Sequence, residues 1–338
     1  MNEDLARVIG VINKRAKRDL AQMGDQPQAD ERISSGSLSL DVGLGGGWPV
    51  NRWTELIGEE SSGKTTVALK TIAHNQAQDP EFTAVWVVAE EFDEEWATVL
   101  GVDITRVVYV DTNVMEDAYQ AVLDFVESKA VDLVVLDSLA ALSPAAEDEK
   151  SMEESTVGRG ALLTNKFFRK ALVASRREPG ERGFSGLVIN QWRQKIGVMY
   201  GDPRTTPGGV GKNYAFSIRA EIKRDEWIEE GTGEAKVRVG QRIKLRTIKN
   251  KTAAPHRSAV VDFYFDDGGP APKGHYDFGR ETVSLSLYYG IVTRGGPYYN
   301  FEGTKWRGTE AFLTAVRTDD ALRERLEKEV LTALARKA

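Results

Sequence analysis

Three observations predict an α/β fold with a mostly parallel twisted sheet, preceded by an N-terminal helix and followed by a small α+β domain. First, from Ile33 to about Arg246 short apolar runs alternate with stretches of helical spacing, the pattern of strands joined by crossover helices. Second, a Gly- and Ser-rich turn leads from one such run directly into a helical pattern. Third, beyond about Pro270 the composition shifts to Gly, Tyr and Pro and then to two helical patterns. At 338 residues the chain exceeds ordinary single-domain size. The expected division is 1–32 for a helix and linker, 33–269 for the core and 270–338 for the C-terminal domain.

Residues 1 to about 20 carry Leu5, Val8, Ile9 and Ile12 at amphipathic helical spacing. Packing on its own domain and docking on something else are both open to such a helix. Gln22 to Glu31, with Gly24 and Pro27, reads as a linker. The expected strands are Thr54–Ile57, Ala84–Val88, Val107–Val110, Leu133–Leu136, Gly186–Ile189 and Ser217–Ile222. The longest expected loops, Glu147–Val157 and Trp192–Val210, are long enough to imply function. From about Asp319 a last helix places Leu322, Leu326, Val330 and Leu334 on one face.

Composition narrows the chemistry. The chain has no cysteine, which excludes disulfides, thiolate metal sites and a Cys nucleophile. Its three histidines (His74, His256, His275) lie far apart, against a His-based metal site. No apolar run approaches a bilayer span of ~18 residues and no apolar signal core opens the chain, so a cytoplasmic protein without membrane contact is expected. A net charge of −6 gives no global basic signal, and local basic runs such as Lys14 to Arg18 and Arg242 to Lys251 read first as solvated faces.

The turn mentioned above is Gly58-Glu59-Glu60-Ser61-Ser62-Gly63-Lys64-Thr65, a complete G-x-x-x-x-G-K-[ST] phosphate loop between a strand and a helix that continues with Thr66. Its backbone N–H groups converge on phosphate, Lys64 reaches the β- and γ-phosphates, and Thr65 offers a hydroxyl to Mg²⁺. Some 70 residues on, the apolar run Val131 to Asp137 ends in the acidic residue that this loop needs to hold the metal. ATP and Mg²⁺ are the expected cofactors. Hydrolysis also needs a carboxylate to orient water; Glu90 and Glu91 end the next strand, and only one of two neighbours can face the site, with Glu90 preferred. Trp96 is either an adenine-stacking surface or a core residue.

At this point the chain resembles the RecA-type recombinases, from Ile33 to about Pro255 and more loosely to the end. The resemblance rests on Ile33-Ser-Ser-Gly-Ser-Leu-Ser-Leu-Asp41, the phosphate loop and Leu136-Asp-Ser-Leu-Ala-Ala-Leu142. It rests further on Asn190-Gln-Trp-Arg-Gln-Lys-Ile-Gly-Val-Met-Tyr-Gly201 and Lys249-Asn-Lys-Thr-Ala-Ala-Pro255. It implies a RecA-like core that assembles as an ATP-driven helical filament on single-stranded DNA, pairs it with a homologous duplex and exchanges strands. By the same resemblance Glu90 activates water, Asp93 and Trp96 contact adenine, and Gln191 senses the γ-phosphate. Lys249 and Lys251 reach the neighbouring subunit's ATP, as an arginine finger does. Two loops would bind DNA, with Val157 in the first, Arg169 on the helix after it, and Arg193, Ile196, Gly208 and Gly209 in or beside the second.

The chain departs from the pattern in places. Val88 stands where Asp is usual, Glu91 where His is, Val210 where Asn is, and Arg204 where the second loop commonly carries an acidic residue. One residue is missing between Glu91 and Asp93, so the choice between Glu90 and Glu91 stays open. Such drift suggests a phage-encoded or otherwise divergent member. Two alternatives compete with a strand-exchanging DNA-dependent ATPase: a hexameric helicase or translocase on the same core, and a single-strand-binding regulator without productive turnover.

Overall fold

The computed structural model describes residues 3–17, 20–21, 31–89, 92–148, 158–177, 180–194 and 203–337. The expected linker from Gln22 therefore lies mostly outside the described residues, as do 149–157 of the first expected loop and 195–202 of the second. Two compact units divide the chain, Met1–Glu31 and Arg32–Ala338. In the first, helix α1 (Glu3–Ala16) has acidic residues in its first turn and basic ones in its last, matching the helix dipole. Asn13 beyond its middle exchanges two hydrogen bonds with the backbone of Ala21, at 2.7 and 2.8 Å.

The second unit opens with β1 (Arg32–Ile33), helix α2 (Leu38–Leu44) and β2 (Trp48–Pro49), the two short strands pairing antiparallel. Then come β3 (Arg52–Ile57), α3 (Lys64–Gln78), β4 (Ala84–Val88), α4 (Glu94–Val99), β5 (Val107–Asp111), α5 (Met115–Ser128) and β6 (Leu133–Asp137). They are followed by α6 (Ala145–Asp148), α7 (Arg159–Ala174), β7 (Ser185–Asn190), and the two-residue strands β8 (Arg193–Gln194) and β9 (Arg204–Thr205). Three longer strands, β10 (Phe216–Glu230), β11 (Val237–Asn250) and β12 (Ser258–Tyr264), lead to β13 (His275–Tyr276).

One nine-stranded sheet has the order β13-β12-β11-β10-β3-β7-β6-β4-β5. From β10 to β5 every pairing is parallel, as the alternating pattern requires. The other edge is an antiparallel meander. Here the sequence expectation stops short: Ser217–Ile222 is the buried start of a strand that runs on to Glu230. Its outer half and β11 carry charged residues on their exposed face, which masks the alternation.

Side chains along the parallel strands alternate between two cores. Ala84, Trp86 and Val88 of β4 join one cluster with Val67, Leu69 and Ile72 of α3, while Val85 and Val87 join the other with Val122 of α5 and Phe167 of α7. Burial on both faces explains why these strands read as continuous apolar runs.

Beyond β13, α8 (Phe278–Tyr288) is a helix that the composition shift at Pro270 did not disclose. A three-stranded antiparallel sheet, β14 (Thr293–Gly295), β15 (Tyr298–Phe301) and β16 (Thr304–Arg307), is covered by α9 (Thr309–Thr318) and α10 (Asp320–Lys337). Val283, Tyr299, Phe301, Phe312, Val316, Leu322 and Leu326 form its core. Glu281 of α8 ties this region to α2: its carboxylate accepts from Ser37 Oγ at 2.6 Å and from the backbone N–H groups of Leu38 and Ser39. Burial raises Glu281 to about 7, with nearby Asp41 adding to the rise. Burial likewise raises Asp41 to about 6, against hydrogen bonds from Ser34 and Ser35.

Candidate functional site

The phosphate loop leaves the C-terminal end of β3 and enters α3, the position where open α/β sheets bind ligands. A Cβ on Gly58 would lie 2.1 Å from the carbonyl oxygen of Ile222, so only glycine passes beneath β10 there. Gly63 caps α3 with φ of 97°, a left-handed conformation that leaves the first helical N–H groups pointing into the loop. Lys64 is buried and its Nζ donates to the carbonyls of Gly58 and Glu59 at 3.1 and 2.6 Å. Ser62 Oγ is buried without a hydrogen-bond partner, a cost that a phosphate oxygen in the loop would remove. Thr65 Oγ1 donates to Asp137 Oδ2 at 3.0 Å, bringing the two expected Mg²⁺-side groups together from residues 72 apart in sequence. Among the described residues no cluster of three His, Cys, Asp or Glu side chains could hold a metal by itself. The donors present suit an ion that arrives with phosphate ligands of its own.

The loop opens into a cavity of about 410 Å³ lined by Ser61 to Thr66, Trp96, Trp227, Gln241, Phe263 and Phe265. Trp96 is half-buried and meets Phe263 edge-on at 6.4 Å, so one ring serves both the core and the cavity wall. Asp93 is the N-cap of α4, its carboxylate accepting from Trp96 N–H at 2.8 Å, and Glu59 and Glu60, earlier in the phosphate loop, are exposed. Glu90 and Glu91 lie outside the described residues. The far wall was not foreseen: Trp227 stands on β10, Gln241 opposite it on β11, Phe263 near the end of β12 and Phe265 just beyond that strand. The apolar run into Phe263-Tyr-Phe265 was the one available signal for it.

Against Thr206 and Pro207 of the second expected loop lies an ion cluster that the sequence did not suggest. Glu55 of β3 and Lys212 are both fully buried and pair at 2.7 Å, and Arg219 Nε reaches the other oxygen of Glu55 at 2.6 Å. Asn190 Nδ2 donates to Glu55 at 2.9 Å, and Lys212 also reaches Thr206 Oγ1 at 2.6 Å. Burial pushes the Glu55 carboxyl up, but Lys212 and Arg219 together outweigh it and hold the group below its ordinary value. Lys249 Nζ donates to the carbonyl of Asn213 at 2.5 Å and Lys251 Nζ to that of Tyr214 at 3.2 Å, both on the short 3₁₀ turn Gly211–Tyr214. Burial, then the like charges of Lys251 and Arg219, lower Lys249 to about 8.

The described residues expected to meet DNA fall on α7, on β8 and on the turn after β9. Gly208 and Gly209 press against α7, where an added Cβ would come within 3.0 Å of Thr164 and Ala161. Arg169 is exposed further along the same helix, and Arg193 is exposed on β8. Gln191 follows the buried Asn190, whose side-chain oxygen accepts from its N–H at 3.0 Å. Val157 and Ile196 lie outside the described residues.

A family profile described as the RecA N-terminal domain matches residues 3–269. The chain belongs to the RecA family. It is 37% identical over 335 residues to protein RecA of Arthrospira platensis, covering 98% of this chain and 87% of that one. It is 36% identical to protein RecA of Frankia alni, over 93% of this chain and 87% of the relative. Protein RecA of a Nostoc strain is 40% identical over 85% of this chain and 76% of its own. With the family comes the activity: the chain is an ATP-dependent recombinase, enzymatically a DNA-dependent ATPase, and neither the helicase nor the passive-binder alternative is favoured.

Proposed function

We propose that this recombinase uses ATP and Mg²⁺ to form a helical filament on single-stranded DNA, in which the strand is paired with a homologous duplex. The loop amides and Lys64 would hold the triphosphate, Thr65 and Asp137 the Mg²⁺, and Trp96 with Asp93 the base. Mg²⁺ supplies charge neutralisation at the transferred phosphoryl group. Glu90 would orient the attacking water and Gln191 would report the γ-phosphate to the loop that follows it. Arg169, Arg193, Gly208 and Gly209, with Val157 and Ile196, would meet DNA.

The observation that carries this reading is the placement of Lys249 and Lys251. Neither is among the residues lining the cavity of its own chain, and both are anchored to the turn that closes the second loop. Lysines so placed fit a role at a neighbour's nucleotide, which would make hydrolysis depend on assembly. The division into an assembly helix (1–32), a core (33–269) and a C-terminal domain (270–338) belongs to the same proposal, as does a cytoplasmic location. No helix among the described residues is long and apolar enough to cross a membrane.

Electron microscopy with single-stranded DNA and a slowly hydrolysed ATP analogue tests the proposal. Helical filaments are expected; closed rings or irregular coating would overturn it. Lys64→Ala should lose both ATP turnover and strand exchange.

A further inference from the structure

Helix α3 starts at the phosphate loop and carries, about two turns further on, a lysine that the loop does not use. Lys70 is buried, and among the described residues no carboxylate pairs with it. Its Nζ donates to two backbone carbonyls, of Leu100 and of Gly274, each at 3.0 Å. The ammonium also stands 5.7 Å from the centre of the Tyr276 ring. Hydrogen bonds from a charged donor are about twice as strong as neutral ones, which offsets part of the cost of burying the charge.

The two carbonyls belong to two walls of the cavity. Leu100 is the C-cap of α4, and its N–H donates to the carbonyl of Trp96 at 3.0 Å. Gly274 leads into β13; its N–H donates to the carbonyl of Tyr264 at 2.8 Å, and Tyr276 just beyond it pairs with Phe263 of β12. The walls touch here. A Cβ on Gly274, whose φ is 81°, would lie 2.6 Å from the carbonyl oxygen of Val99, the last residue of α4. Trp96 and Phe263 meet edge-on across the same seam. One cation on the phosphate-loop helix therefore fastens the helix that carries Trp96 to the strand pair that carries Phe263.

We propose that Lys70 is a positioning residue for nucleotide binding, which holds Trp96 and Phe263 in register with the phosphate loop so that base and triphosphate are gripped together. This rests on the reading of Trp96 as the surface for the base. Lys70 is not among the residues lining the cavity, so it acts through its bonds to the walls. Burial lowers it to about 8. His74, one turn on in α3, faces it and is held below its ordinary value by burial and then by the Lys70 charge. Tyr276 is held above its own by burial, then by Glu281 of α8 and Asp41 of α2. With Glu281 at about 7 and Asp41 at about 6, Lys70 is the member of this group that loses its proton from about pH 7.5 to about 9.5.

The test compares ATP with inorganic tripolyphosphate, which suits the phosphate loop but has no base. Each is titrated calorimetrically into the full chain with Mg²⁺. At about pH 7.5, Lys70→Met should weaken ATP about tenfold and leave tripolyphosphate unchanged. A neutral amine bonds about half as strongly, so near pH 9.5 the ATP gap between wild type and variant should narrow to about threefold. Titration of the ligand itself cancels in that comparison. Equal losses for both ligands, an unchanged ATP affinity, or a gap that stays constant with pH would each overturn the positioning role. Should Lys70→Met fail to fold, Lys70→Gln keeps an uncharged donor and takes its place, with about threefold weaker ATP binding expected near pH 7.5 and no gap near 9.5. Wild-type protein that binds ATP no better than tripolyphosphate would instead sink the underlying reading of Trp96.

Discussion

Replacing Lys212 by methionine removes one cation from a fully buried site and leaves the Glu55 carboxylate behind. Breaking a buried pair by deleting one partner typically costs about 3–5 kcal/mol. Glu55 keeps Arg219 Nε at 2.6 Å and Asn190 Nδ2 at 2.9 Å, which places the expected loss near the lower end, about 3 kcal/mol. At roughly 2–4 °C per kcal/mol for a large domain, Tm should fall by about 6–12 °C. The pH dependence is more diagnostic. Glu55 lies below its ordinary value, so its contribution is complete above about pH 4.3 and is lost as pH falls through the folded value. In the variant, burial meets less opposition and the carboxyl rises, so the gap between wild type and variant should be widest at neutral pH and narrow in acid. Urea unfolding at pH 7 and at pH 4 measures both quantities. A loss under about 1 kcal/mol at pH 7 would refute the reasoning, as would a gap that does not shrink toward pH 4.

Two further outcomes are expected. Lys249→Ala should hydrolyse ATP poorly, and mixing it with Lys64→Ala subunits should restore some turnover, because one interface then carries an intact site and an intact lysine; no recovery in filaments containing both would exclude action in trans. Glu281 and Asp41 hold protons in the folded state up to about 7 and about 6, so stability should fall as pH rises from about 4 to about 7 and level off above it. Glu281→Gln should flatten the part of that decline between about 4.5 and 7, read from unfolding midpoints at three pH values; an unchanged profile would remove Glu281 as its source.

Local chemistry made much of this protein legible in its sequence. The phosphate loop needs only consecutive residues, with Gly63 supplying a left-handed turn and Lys64 reaching back over its own backbone. The parallel strands announced themselves because burial on both faces demands unbroken apolar runs. Asp137 was legible because it ends such a run.

Tertiary structure decided the rest, and the reason is separation along the chain. Trp227, Gln241, Phe263 and Phe265 wall the cavity at the phosphate loop only because β10 pairs with β3 and then folds back through β11 and β12. In sequence they are an isolated tryptophan, a glutamine between charges and the end of an apolar strand. Lys212 reads as a solvated lysine in a Gly-rich turn, yet its partner Glu55 stands 157 residues earlier. Arg204 reads as a departure from an acidic pattern until pairing with Gln194 sets it over Trp192 and against Glu221. A lysine or arginine carries no mark of whether it will meet water or a carboxylate. That depends on which distant strand becomes its neighbour, and the pairing is settled by burying the sheet as a whole.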